Sequence, residues 1–146
     1  MAKKIGIGLI LLIAGFTWLG GCIRQGEIPR TPTGLVVVRE EYDPANEKYG
    51  DRLFLSWEHQ EAPDLDGYLV YRSYERVDEI NAEKNAEKTE YVVIATTCET
   101  SCVDEDLSIS WGYPSTIYYY RVSAFNIDGF ESPLSEEVSI EYTPYD

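Results

Sequence analysis

Between Ile117 and Ser135 the chain reads IYYYRVSAFNIDGFESPLS, and its side chains alternate as those of a strand do. Tyr118, Tyr120, Val122 and Ala124 fall on one face, Tyr119, Arg121, Ser123 and Phe125 on the other. The run breaks at Asn126-Ile127-Asp128-Gly129, a turn by composition. A second alternation begins near Glu136 and places Val138, Ile140 and Tyr142 on one face. The same period of two occurs upstream in Leu53-Phe54-Leu55-Ser56-Trp57, where Leu53, Leu55 and Trp57 share a face. Leu35 to Val38, Tyr68 to Arg72, Tyr91 to Ala95 and Val103 to Leu107 supply further short strands, with Ala62-Pro63-Asp64-Leu65-Asp66-Gly67 as a turn between two of them. Short strands separated by turn residues predict an all-β domain, and the 12 tyrosines favour strands over helices.

Two stretches do not fit the alternation. Glu40 to Asp51 is a long polar connection, and Ser73 to Glu90 is a charged segment whose centre, Asn81 to Lys88, repeats a four-residue unit. That centre is rich in helix formers but has only a thin apolar stripe, which predicts a solvated loop with at most a helical turn.

The pattern Tyr118-x-x-x-Val122-x-Ala124-x-Asn126, followed by Gly129, Ser132 and Ser135, resembles the last two strands of a fibronectin type III domain. The spacing Pro29-x-x-Pro32-x-Gly34-Leu35 resembles its beginning, and Trp57 stands where the family places a core tryptophan on its second strand. The resemblance implies an immunoglobulin-like antiparallel β-sandwich of about seven strands over residues 29–143. It also implies a corner role for Tyr118, whose hydroxyl would bond back to upstream backbone. The chain departs from the family pattern at Ser108 to Thr116, which intervenes before that corner. Within this insert Trp111 and Tyr113 either cap the open end of the sandwich or form a stacking platform for a sugar or peptide, and they are the candidate partner surface.

Ahead of the domain, Lys3 and Lys4 precede an apolar run of 15 residues from Ile5 to Leu19, with Gly20 and Gly21 before Cys22. This is the layout of an export signal over residues 1–21, and the run is shorter than the roughly 20 residues of a spanning helix. Leu19-Gly20-Gly21-Cys22 also resembles the lipobox of bacterial lipoproteins. That resemblance implies cleavage before Cys22, acylation of its thiol, and a lipidated tether over residues 22–28. Each buried methylene adds roughly 0.8 kcal/mol, so two or three chains anchor durably where one would not. The expected location is therefore the bacterial cell envelope, bound to membrane through the lipid. Ile23 rather than Asp follows the cysteine, which in a Gram-negative cell implies the outer membrane.

Removing Lys3 and Lys4 with the leader leaves ten cations against 26 Asp and Glu, a formal charge of −16. Nucleic acid is excluded as a partner, because affinity for it rests on neutralising phosphates with cations. Cys98 and Cys102 fall at the turn between the strand of Tyr91 to Ala95 and that of Val103 to Leu107, and outside the cytoplasm they are expected to form a disulfide. A loop this small should contribute about 2 kcal/mol. The pair is not read as a metal site, since zinc takes four ligands and only His59 is available beside it. Asp64 and Asp66 lack the further ordered oxygens of a calcium loop.

His59 has no base, nucleophile or orienting group in a recognisable motif around it, and no glycine-rich phosphate loop is present. No cofactor and no catalysis are expected. The functional expectation is a membrane-anchored module that binds a protein or glycan. The alternative is a structural spacer or assembly subunit of an envelope complex.

Overall fold

A computed structural model of the chain describes residues 26–40, 52–59, 61–62, 64–77, 87–107 and 115–143. Seven strands run in the order β1 (Val36–Glu40), β2 (Arg52–Ser56), β3 (Leu65–Val77), β4 (Val92–Thr97), β5 (Ser101–Asp104), β6 (Ser115–Asn126) and β7 (Val138–Tyr142). They form two antiparallel sheets, one of three strands ordered β1-β2-β5 and one of four ordered β4-β3-β6-β7.

The core follows from the alternation. Leu53, Leu55 and Trp57 from the smaller sheet meet Tyr68, Val70, Tyr118, Tyr120, Val122, Ala124 and Tyr142 from the larger, all of them buried. Trp57 lies edge-to-face on Tyr68 with ring centres 5.4 Å apart, a favoured aromatic geometry. Tyr118 is ringed by Tyr74, Tyr120 and Tyr142 at 6.3, 6.5 and 6.4 Å.

The centre of the larger sheet is the long pairing of β3 with β6, which runs from Leu65 opposite Asn126 to Val77 opposite Ser115. Both strands are longer than the alternation of their apolar residues predicts. Ser73 to Val77, expected in a loop, continues β3 because each residue gains a partner on β6, and the Tyr119 hydroxyl donates to Glu75 at 3.0 Å. The helical turn anticipated within Asn81 to Lys88 lies largely outside the described residues, and Glu87 to Glu90 are not helical. Gly67 sits at a register shift in this pairing, where a Cβ would stand 2.8 Å from the Thr97 carbonyl. Close approach of backbones there requires glycine.

The turn after β6 is organised by Asn126, which is buried. Its Oδ1 accepts from the amides of Asp128 and Phe130 at 3.2 and 2.9 Å, and its Nδ2 donates to the Glu27 carbonyl at 2.9 Å. One side chain thus closes the turn and ties down the start of the domain. Gly129 occupies the left-handed region at φ 81°.

Candidate interaction surface

The outer face of the four-stranded sheet carries the side chains that alternate away from the core: Tyr71 on β3, Tyr119, Arg121 and Ser123 on β6, with Tyr91 just before β4. The segment leading into β4 is held against β3 by Thr89. Its amide donates to the Tyr74 carbonyl at 2.9 Å, its hydroxyl accepts from the Tyr74 amide at 3.0 Å, and its carbonyl accepts from the buried Ser73 hydroxyl at 2.6 Å. This docking brings Lys88 over the Tyr119 ring, with Nζ 3.7 Å from its centre, and places Tyr91 beside Arg121.

Glu137 joins these groups. Its carboxylate accepts from Lys88 Nζ at 2.7 Å, from Arg121 Nη2 at 3.4 Å and from the Tyr91 hydroxyl. Burial pushes the Glu137 carboxyl up, but the hydrogen bonds from Lys88 and Tyr91 and the charges of Lys88 and Arg121 outweigh it and hold the pKa below its ordinary value. Burial and the hydrogen bond to Glu137 together push the Tyr91 phenol up. At the other end, Glu131 accepts from the Tyr71 hydroxyl and from the buried Ser123 hydroxyl, the latter at 2.6 Å. Three tyrosine rings and two cations are therefore fixed by three carboxylates, Glu75, Glu131 and Glu137, on one face.

Between the sheets, Arg72 and Asp104 form a buried ion pair. Arg72 Nη1 stands 2.8 Å from both carboxylate oxygens and 2.7 Å from the Asp106 carbonyl, and the Tyr120 hydroxyl donates to Asp104 at 2.7 Å. Burial, the charge of Asp104 and that hydrogen bond all push the Tyr120 phenol far above its ordinary value. The pair lies beside a cleft of about 500 Å³ between β4 and β5.

The residues singled out in the sequence are only partly among those described. Cys22, Trp111 and Tyr113 lie outside the described residues. Cys98 and Cys102 are free thiols, so the disulfide expected between them is not made. The short link between them crosses from the edge of one sheet to the edge of the other, and the two sulfurs take different directions. Cys98 donates to the Asp66 carbonyl at 3.4 Å, while Cys102, paired with Leu55, packs against the core. Burial and the nearby Asp104 carboxylate push the Cys102 thiol up. His59 is exposed at the rim of a cleft of about 570 Å³ that Glu61, Asp66 and Cys98 also line. Among the described residues no group of three or more His, Cys, Asp or Glu is placed to hold a metal ion.

The fold recurs in solved structures. The third fibronectin III domain of human KIAA0343 protein superposes with a TM-score of 0.53 at 19% identity, covering 84% of this chain and 89% of that one. The chain has the fibronectin type III fold. The twitchin kinase region from C. elegans (Fn31-NL-kin-CRD-Ig26) superposes with a TM-score of 0.52 at 16% identity over 81% of this chain. The chain spans only 17% of that protein. No protein-family model and no curated protein matches the sequence. The outer-face network was not visible in the sequence as a site. Its one signal was the phase of Tyr71, Tyr119 and Arg121, opposite to the core residues.

Proposed function

We propose that this chain is a noncatalytic interaction module of fibronectin type III fold, held to a bacterial cell envelope by lipid on Cys22, which binds a protein or glycan through its surface. The supporting observation is the outer face of the four-stranded sheet. Tyr71, Tyr91 and Tyr119 have their hydroxyls engaged by carboxylates while Lys88 and Arg121 lie against the rings. Tyrosine and arginine supply large contact areas, and rings already held in place lose little entropy on binding. The acidic excess speaks against a nucleic-acid partner. The alternative, a spacer or assembly subunit, draws on the same network, since a face whose polar groups satisfy one another also suits a passive wall.

Two measurements test the reading. Intact-mass analysis of the membrane fraction should find a chain that begins at an acylated Cys22, and Cys22→Ser should release it from the membrane. A cytosolic chain retaining residues 1–21 would remove the anchor from the proposal. Crosslinking on intact envelopes should yield a defined adduct that the Tyr91→Ala, Tyr119→Ala double variant loses while staying folded. An unchanged adduct would move binding away from this face, and an unchanged envelope phenotype with no adduct in either protein would favour the spacer.

A further inference from the structure

The two sheets differ in width. β4 is the outermost strand of the four-stranded sheet and β5 that of the three-stranded one, and they come together at one side of the sandwich without strand pairing between them. Val92 of β4 pairs with Arg72, whose side chain joins Tyr120 at the buried Asp104 on the inner side of the sheet. It is nevertheless 56% exposed, because among the described residues no strand of the smaller sheet extends far enough to cover it. Val103 of β5 is 40% exposed across the cleft, with Ile94 and the stem of Arg72 at its base.

Exposed edges of sheets are normally blunted by charge, proline or a bulge. β4 has a register shift opposite Val70 and Tyr71, yet Val92-Val93-Ile94-Ala95-Thr96-Thr97 contains neither charge nor proline. The charges flank β5: Glu99 precedes it, and Glu105 and Asp106, which line the cleft, follow it, all three exposed. Glu105 stands 3.6 Å from Arg52 and Asp106 3.5 Å from Arg72, but their side chains are 73% and 93% exposed and open to a further cation.

We propose that this cleft receives an extended strand from a partner protein, apolar at its centre and carrying Lys or Arg at both ends, which hydrogen-bonds along the free edge of β5. Its inward side chains would cover Val92 and Ile94 and give the smaller sheet its fourth strand, a case of strand addition with side-chain pockets setting specificity. The flanking carboxylates choose the partner. In an antiparallel pairing of two copies of β5 that opposes Ser101 with Asp104, Glu99 of one copy faces Asp106 of the other, and like charges across a pair are unfavourable. A basic-ended strand meets the same groups favourably. The proposal does not depend on the lipid anchor or on the tyrosine-bearing face.

The test uses the full chain in nonionic detergent and a fluorescein-labelled peptide of alternating valine and threonine with two lysines at each end. Fluorescence anisotropy should show saturable binding, at least tenfold weaker for the same peptide with glutamate ends. Val92→Lys and Val103→Lys should each weaken it at least tenfold, whereas Val36→Lys, at a 51% exposed valine on the opposite edge strand β1, should leave it unchanged. Hydrogen exchange should slow along Ser101–Asp104 when the peptide is bound. The proposal is overturned by the absence of saturable binding, by equal affinity for both peptides, or by an equal loss in Val36→Lys. Binding without protection of β5 would overturn it as well.

Discussion

Arg72 and Asp104 bring a charge of each sign inside the sandwich, where their side chains are only 10% and 3% exposed. Neither survives there alone. The guanidinium donates to both Asp104 oxygens and to the Asp106 carbonyl, and the Tyr120 hydroxyl takes up a further position on the carboxylate. A buried pair of this kind repays its desolvation only through such geometry, and removing one member leaves the other uncompensated. Asp104→Ala should therefore cost about 3–5 kcal/mol. Tyr120→Phe, which removes one donor from a carboxylate that keeps its arginine, should cost only about 1–2 kcal/mol. Replacing the pair together, Arg72→Met with Asp104→Leu, should restore most of the loss. Urea midpoints order the three variants, and a double variant as unstable as Asp104→Ala would show that the packing around the pair, not its charge, sets the cost. Tyr120 adds a pH signature. Its raised pKa contributes stability that is fully present below the ordinary value of 10.0 and is lost as pH rises beyond it. Tyr120→Phe should remove that part of the alkaline decline.

At the scale of elements, the approach to β7 shows how a strand edge can be satisfied without a regular ladder. β7 begins at Val138, yet the preceding segment already runs along β6. Ser132 and Ser135 donate their amides to the carbonyls of Ala124 and Val122, each at 2.8 Å, and their hydroxyls accept from the amides of the same two residues at 3.0 Å. Two serines three apart thus substitute for ladder bonds on either side of Pro133, which has no amide proton to give. Ser135→Ala would leave the Val122 amide buried without a partner and should cost about 1–3 kcal/mol. Ser135→Thr, which keeps the hydroxyl, should cost less. Retention of wild-type stability by the alanine variant in chemical denaturation would show that water or a shifted backbone takes the place of the hydroxyl.

The sequence carried Ser132 and Ser135 only as part of a resemblance, because a hydroxyl reaching across to a neighbouring strand has no periodic signature. Residues that obey a period were legible. Leu53, Leu55 and Trp57 and the inward set of β6 form the core on the faces where alternation puts them. β5 was misleading for the same reason. In Val103-Asp104 the apolar residue turns outward and the carboxylate inward, since Asp104 must meet Arg72 and Tyr120 on strands more than 15 residues away in sequence. For Cys98 and Cys102, spacing gives proximity along the chain and not the direction of each sulfur, and in the structure both thiols are free.

Across the whole molecule, the charge balance and the pairing pattern act in different pH ranges. The chain carries a formal charge of −14, and self-repulsion of that size opposes compaction. Among the described residues, Arg52, Arg72, Lys88 and Arg121 are tied to particular carboxylates. The Glu137 carboxyl, raised by burial but lowered further by Lys88 and Tyr91, has a folded pKa below its ordinary 4.5. Its contribution to stability is therefore complete above pH 4.5 and is lost as pH falls through the lowered value. Between neutrality and that point, unpaired carboxylates begin to take up protons while the Glu137 cluster stays intact. Stability should accordingly hold or rise from pH 7 to about 5 and fall below about 4.5. Salt should separate the two effects, because screening at 0.5 M, where the Debye length is roughly 4 Å, relieves exposed like charges more than close pairs. Added salt should raise the urea midpoint at pH 7 and do little near the isoelectric pH of about 4.4. Glu137→Gln should lower the plateau and flatten the acid limb. A stability that falls steadily from pH 7 downward would mean that paired carboxylates, and not net repulsion, dominate throughout, and the outer-face network would then extend beyond the three carboxylates that hold its tyrosines.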